Sequence, residues 1–358
     1  MRSTVQAGKA GSGALVAGRA RRARSPGRAI EIREYEPADE PAVLEVLRAA
    51  FGSWPHGMEG VDAAEFFRWK LEGCPFGRQV SLVAHAPDGL VGFVSQLPWP
   101  FTAAGRSLSS LRAMDLAVNP SHRGRSISTM IMRAVIEGTP ADVALAWNNP
   151  NEQSRPGLLK TGRRDLVALP RFVAPHRAPG PVVMRTLGRR PRPPEHLPVE
   201  AGTAGEVLRD DEYASRVLRE IARTDDRLVT SRDLDYLRWR YGRFALYRAF
   251  VADPGAEAPG IVIFRVRRRG RLWVSEICEL LVAGNDLRSA RRLLGKVRAA
   301  APVDLLRATF CSDREAARCG FLRVRGGSLL TVRTIQPGLP DLARPQSWGL
   351  SFGDLELL

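Results

Sequence analysis

Residues 113–129 read Ala-Met-Asp-Leu-Ala-Val-Asn-Pro-Ser-His-Arg-Gly-Arg-Ser-Ile-Ser-Thr, and this stretch decides the fold. Its first six residues are an apolar strand interrupted by one acid, Asp115, and the strand stops at Asn119-Pro120. A basic turn follows, and a helix is expected from Gly124 to Glu137, because Ile127, Met130, Ile131 and Ala134 recur at the spacing of one helical face. The first N–H groups of a helix have no internal partner. With the helix dipole they form an anion site, to which Arg123 and Arg125 add positive charge. Local physics alone leaves open a second reading, a basic helix start packed on a sheet.

The surrounding sequence alternates strands and helices. Strands are expected over 29–35, 107–118, 142–147 and 166–174, with a hairpin over 79–97. Helices are expected over 40–51, with Asp39 as cap, and over 62–72 and 152–161. Asp88-Gly89 is the hairpin turn. This order predicts a mixed α/β layout.

Two segments resemble each other. Phe66-Phe67-Arg68-Trp69-Lys70 precedes the hairpin strands QVSLVAHA and LVGFVSQL. Tyr236-Leu237-Arg238-Trp239-Arg240 precedes YRAFVA and GIVIFRV. A period this long predicts a duplicated domain rather than a short repeat. Trp69 and Trp239 are expected to be core or domain-packing residues.

The chain has 358 residues and a net charge of +16. Residues 1–29 hold seven basic residues and no acid, so the remainder carries +9. The tail has no apolar run of signal-peptide length. It reads as a dispensable disordered segment, although an Arg-rich start also fits a presequence. No apolar run is long enough to span a bilayer. The positive charge suggests nucleic acid, but no recognition motif accompanies it, so nucleic acid is not the expected partner. Cys74, Cys278, Cys311 and Cys319 have neither zinc nor disulfide-framework spacing, which fits a reducing, cytoplasmic setting without a metal. A Pro-dense zone from Pro170 to Pro198 holds eight prolines. Proline interrupts helices and central strands, so part of the zone is read as a strand or edge closing the first domain, followed by a linker. The expected division is a tail over 1–29, a first domain over 30–178, a linker over 179–200 and a second domain over 201–358.

In its order of pieces the chain resembles the GNAT (GCN5-related N-acetyltransferase) superfamily. Leu116-Ala117-Val118-Asn119-Pro120 and Arg123-Gly124-Arg125-Ser126-Ile127-Ser128 match its strand and R/Q-x-x-G-x-G/A helix start. Trp69-Lys70, Pro75-Phe76-Gly77, Asp115, the run 151–157, Trp348 and Gly353-Asp354 resemble a bacterial subgroup often associated with polysaccharide genes. The resemblance implies a mostly antiparallel sheet of GNAT type with helices on both faces, duplicated, and acetyl-CoA or another acyl-CoA as co-substrate. It implies that the strand groups of Leu116, Ala117 and Val118 meet the pantetheine arm. It implies that the N–H groups of Arg123, Gly124, Arg125, Ser126, Ile127 and Ser128 hold the pyrophosphate, and that Asn151 faces the pantetheine or sulfur. The reaction implied is direct acyl transfer to a primary amine of a small or sugar-like acceptor.

Three departures stand out. Ser126 and Ser128 occupy positions where Gly or Ala is usual. Leu158 stands where many of these enzymes place a tyrosine that protonates the departing thiolate, and Arg163 replaces an aromatic residue. Leucine carries no transferable proton, so a non-catalytic CoA-binding or scaffold protein is the rival reading. Asp115 is a candidate base, with a structural hydrogen bond as its alternative. His56 is read as a solvated loop residue that could touch acceptor. The second segment has no paired cations where its helix starts near Asp286, so it is expected to be degenerate, without CoA, and to supply one wall of the acceptor cleft.

Overall fold

A computed structural model describes residues 30–56, 58, 60–176, 179–188, 194–221, 227–310 and 312–355. The expectations for the tail and for Cys311 lie outside these residues. The large sheet is built, in chain order, from β1 (Glu31–Glu34), β2 (Val80–Ala86), β3 (Gly89–Pro98), β4 (Ser110–Val118), β5 (Leu145–Asn148), β6 (Arg164–Pro175), β7 (Tyr247–Val251), β8 (Gly260–Arg269), β9 (Leu272–Val282), β10 (Leu305–Ala308) and β11 (Leu322–Thr334). Their spatial order is β1-β2-β3-β4-β5-β11-β6-β10-β9-β8-β7.

That order is symmetric about the β11–β6 pair. β2-β3-β4-β5 on one side is matched by β7-β8-β9-β10 on the other, with β4–β5 and β9–β10 the parallel pairs. Registers agree as well, since Gly92 faces Val118 and Gly260 faces Val282. The last strand of each half is exchanged: β11 lies against β5 of the first half, and β6 lies against β10 of the second. The two halves therefore share one hydrogen-bonded sheet. The sheet is mixed and mostly antiparallel, as the family resemblance implies.

Helices cover both faces. α1 (Glu40–Phe51) and α2 (Ala63–Glu72) pack Val43, Leu47, Phe66 and Phe67 on Val83, Phe93 and Ala117. α3 (Ile127–Glu137) packs Ile127, Ile131 and Val135 on Leu82, Ala84 and Val94, the alternate side chains of β2 and β3. This is the two-residue alternation of a strand buried on both faces. Between α3 and β6 lies the short helix α4 (Arg155–Leu159). α5 (Leu287–Ala300) covers β8 and β9 with Leu293, Leu294 and Val297.

Gly92 makes the approach of α3 possible, because a Cβ there would lie 2.8 Å from Ile131 Cδ1 and 3.2 Å from Ile127 Cγ2. Gly260 has the same role beside Leu293 Cδ1, at 3.1 Å. Gly92→Val is expected to destabilise the fold by about 1–3 kcal/mol through overpacking. A urea midpoint unchanged from the parent would refute this.

The repeated tryptophans meet. Trp69 and Trp239 stack with centroids 5.2 Å apart. Trp69 Nε1 donates to the Trp239 carbonyl at 2.7 Å, and Trp239 Nε1 donates to the Trp69 carbonyl at 3.1 Å. This reciprocal pair sits between the halves, where the sequence reading put packing residues.

Several expectations are corrected. The α3 helix begins at Ile127 rather than Gly124, because Gly124 and Ser126 are left-handed, with φ 80° and 59°. Asp39 stands at the N-cap of α1, but its side chain makes no cap bond there; its carboxylate accepts from the Glu36 N–H and from Arg33. Pro170 lies in a central strand rather than an edge. It is tolerated because it sits at a register shift, facing Gly327, where β10 has not yet joined β6. The Pro-rich zone also contains a helix, Pro179–Thr186, whose prolines fall in its first turn.

Candidate functional site

The site begins where β4 and β5 part. Their parallel ladder ends at Arg112↔Trp147, while β4 runs on to Val118. Among the described residues, the β5-facing backbone groups of Ala113–Val118 have no ladder partner. Three residues past the fork is Asp115, a non-glycine residue with φ 52°. It lies where the β3–β4 register shifts, between Phe93 and Ser95. An aspartate tolerates this conformation better than most residues.

The Asp115 carboxylate is paired. Lys70 Nζ lies 2.7 Å from its Oδ2, and the lysine side chain is 1% exposed. Lys70 comes from the last turn of α2, at i+4 from Phe66 on the helix's buried face. Burial lowers the Lys70 pKa, and Asp115 opposes that shift only in part. The sequence signal for Lys70 was a cation in the apolar stripe of Phe66 and Phe67, repeated as Arg240 beside Trp239.

At the fork itself, Arg112 is buried between Trp99 and Trp147, 5.0 and 4.6 Å from their ring centres. Its Nη2 donates to Asn149 Oδ1 at 3.0 Å and to the Leu355 carbonyl at 3.3 Å. Burial pushes its pKa down to about 10. The short C-terminal helix Phe352–Leu355 therefore ends against the fork.

The turn after β4 is braced by side-chain hydrogen bonds and exposed. Asn119 Oδ1 accepts from the Ser121 N–H and hydroxyl. His122 is buried and braced by Asp88 at 3.1 Å and by Ser121. The sequence reading did not include this brace. Arg123, Gly124, Arg125 and Ser126 are exposed, and no side chain caps α3. Its first N–H groups are thus free to meet an anion. Arg123 reaches the Ala50 carbonyl with Nη2 at 3.3 Å, which keeps its charge beside the turn. Ser126 takes the left-handed conformation itself, at a cost of about 1–2 kcal/mol relative to an ordinary one. Ser128 Oγ lies beside Gly157 of α4, 3.5 Å from where its Cβ would be.

Leu116 and Val118 are half-buried, and Ala117 is buried under α1 and α2. Asn151 is exposed, and its Oδ1 accepts from the Ser154 N–H at 2.8 Å, which orders the approach to α4. Leu158 is 1% exposed in the cluster beneath α3. Arg163 is buried, with Nε and Nη1 lacking hydrogen-bond partners among the described residues, and burial lowers its pKa to about 10. His56 is exposed and bonds Ser53. Cys74, Cys278 and Cys319 are buried free thiols, pushed up to about 11, 12 and 11 by burial, so none is a ready nucleophile. No group of three or more His, Cys, Asp or Glu among the described residues is placed to hold a metal. No helix there is long and apolar enough to cross a membrane.

The second half repeats the acid at the fork. Glu279 stands three residues past the ladder end at Glu276↔Arg307, as Asp115 stands past Arg112↔Trp147. Glu279 pairs with Arg232 at 3.2 Å and accepts from Tyr241 at 2.7 Å and Ser351 at 2.9 Å. Arg232 also holds Asp354 at 2.5 Å.

Residues 31–156 match the acetyltransferase (GNAT) domain family. No curated protein sequence matches the chain. Solved structures with a similar fold include a GCN5-related N-acetyltransferase from Anabaena variabilis, with TM-score 0.60, 12% identity, and 86% of this chain and 73% of that one covered. A GCN5-related N-acetyltransferase from Kribbella flavida has TM-score 0.58 and 17% identity over 86% of this chain and 71% of that one. Eis1 from Mycobacterium abscessus has TM-score 0.53 and 16% identity over 85% and 73%. At these identities the likeness is one of fold.

Proposed function

We propose that this chain, with its GNAT fold, is an N-acyltransferase that moves an acetyl or other acyl group from acyl-CoA to a primary amine of a small or sugar-like acceptor. The observation that carries this reading is the uncapped, doubly basic start of α3 at the end of a strand that has parted from its neighbour. The residues fit the co-substrate. The α3 start, with Arg123 and Arg125, would hold the diphosphate, and the unpaired edge of Ala113–Val118 would hold the amide-bearing arm. Bound acyl-CoA supplies the activated thioester. The chain's own groups orient it, and N–H groups on the β4 edge stabilise negative charge at the carbonyl.

For Asp115 the geometry favours a positioning role over that of base. Its carboxylate is held by Lys70, and its counterpart Glu279 exists in the half that lacks the cationic turn. Asp115→Asn should lower turnover without moving the acidic limb of the pH–rate profile. A displaced limb would make Asp115 the general base.

The acyl-CoA reading is tested by Arg123→Glu, which should weaken acetyl-CoA binding more than tenfold, about 1.4 kcal/mol. Unchanged affinity by calorimetry would remove the assignment. Leu158, sealed in the core, favours a second reading, a CoA-binding module without turnover. Thiol release from acetyl-CoA with a panel of amines and amino sugars separates the two. The division into domains 30–178 and 201–358 is likewise proposed, as two halves of duplicated origin sharing one sheet.

A further inference from the structure

The second half keeps a fork of its own. The parallel β9–β10 ladder ends at Glu276↔Arg307, and β9 continues alone on that side through Ile277–Val282. Opposite it, the chain after β10 runs through Thr309 and Phe310. Between them lies a cavity of about 450 Å³, lined by Leu280, Val282, Thr309, Phe310, Ser231 and Trp348 among others. That volume is within the range of small-molecule sites. Ser351, whose hydroxyl donates to Glu279, also lines it.

Two features set the chemistry of what fits. One wall is a strand edge whose N–H and C=O groups have no ladder partner among the described residues. Such groups are costly to leave unpaired away from water, and an extended amide chain satisfies them by strand addition. The helix start after β9, beside the lining residue Asn285, is the reverse of the first half's. The α5 start is capped by Asp286, whose Oδ2 accepts from the Ser289 N–H at 2.7 Å. A carboxylate already occupies the position a phosphate would take at the α5 start. The cavity itself is lined by both signs, Arg227 and Arg232 with Glu279 and Glu315, and Arg232 is already paired with Glu279 and Asp354.

We propose that the β9–β10 fork binds an extended, amide-bearing chain without phosphate, a short peptide segment, by strand pairing along Leu280–Val282. This site stands independently of acyl transfer in the first half.

The test uses the full chain and N-acetyl-trialanine amide as probe, whose blocked ends keep it from acting as an acyl acceptor. Calorimetry should show saturable binding of roughly millimolar affinity or tighter. The same peptide methylated on its central amide nitrogen should bind at least about tenfold more weakly, because it has lost an N–H donor. Leu280→Trp or Thr309→Trp, whichever retains the parent melting temperature, should weaken the probe by a similar factor by filling the slot. Saturating CoA should leave probe binding unchanged. Absence of saturable binding, equal binding of the methylated peptide, indifference to a folded slot-filling variant, or displacement by CoA would each overturn the proposal.

Discussion

Lys70→Met is expected to cost about 3–5 kcal/mol of folding stability at neutral pH, because it leaves the Asp115 carboxylate without its partner at 2.7 Å. Removing both charges should recover much of that loss, so Lys70→Met with Asp115→Asn should be more stable than Lys70→Met alone. Asparagine keeps the side-chain shape and accepts the positive φ of residue 115. The pH dependence has a definite sign. In the parent, Lys70 is the group with the depressed folded pKa. Between that value and the ordinary lysine value of 10.5 the unfolded chain binds more protons, so this residue's contribution grows as pH rises. Urea titrations at several pH values measure all three effects. A loss below about 1 kcal/mol for Lys70→Met would show that the pair contributes little.

Gly353→Ala should be nearly as damaging, by about 3–5 kcal/mol. An added Cβ would overlap the Tyr241 hydroxyl and lie 3.0 Å from Tyr241 Cζ and 3.1 Å from the Cys278 carbonyl. Tyr241 is fully buried and donates to Glu279 at 2.7 Å. Moving it combines overpacking, typically about 1–3 kcal/mol, with loss of a bond to a charged group, about 1.5–3 kcal/mol. Tyr241→Phe removes the overlapping oxygen, so the double variant should lose less than the two single losses added together. Strict additivity in thermal melts would show that the two residues do not collide. The consequence reaches the candidate site, because the helix carrying Gly353 also presents the Leu355 carbonyl to Arg112 and Asn149.

Much of the fold was legible because its elements are long and strongly patterned. The apolar hairpin strands β2 and β3 mark themselves as buried, and Ile127 and Ile131 mark the buried face of α3, although Met130 and Ala134 of the expected face are only half-buried and Met132 and Val135 take their place. The anion-ready turn was legible for the same reason, since Asn119-Pro120 ends the strand and Arg123-Gly124-Arg125 carries its own charge. The start of α3 was placed three residues early because nothing in the sequence shows that Ser126 adopts a left-handed conformation. Tertiary packing of Ile127 and Ile131 against Gly92 holds it there.

By itself the sequence determined the repeated tryptophan segments, the mixed α/β layout and the half that carries the paired cations, all of them properties of neighbours within a few residues. Tertiary structure alone decided the exchange of β6 and β11, which makes one sheet of the two halves, and the pairing of Lys70 with Asp115 across 45 residues of chain. It also decided that Asp115 and Glu279 are counterparts, and that the C-terminal helix ends between the two forks. Strand pairing and buried ion pairs form between residues far apart in sequence. Local pattern selects which groups must be buried, and only the folded arrangement selects their partners.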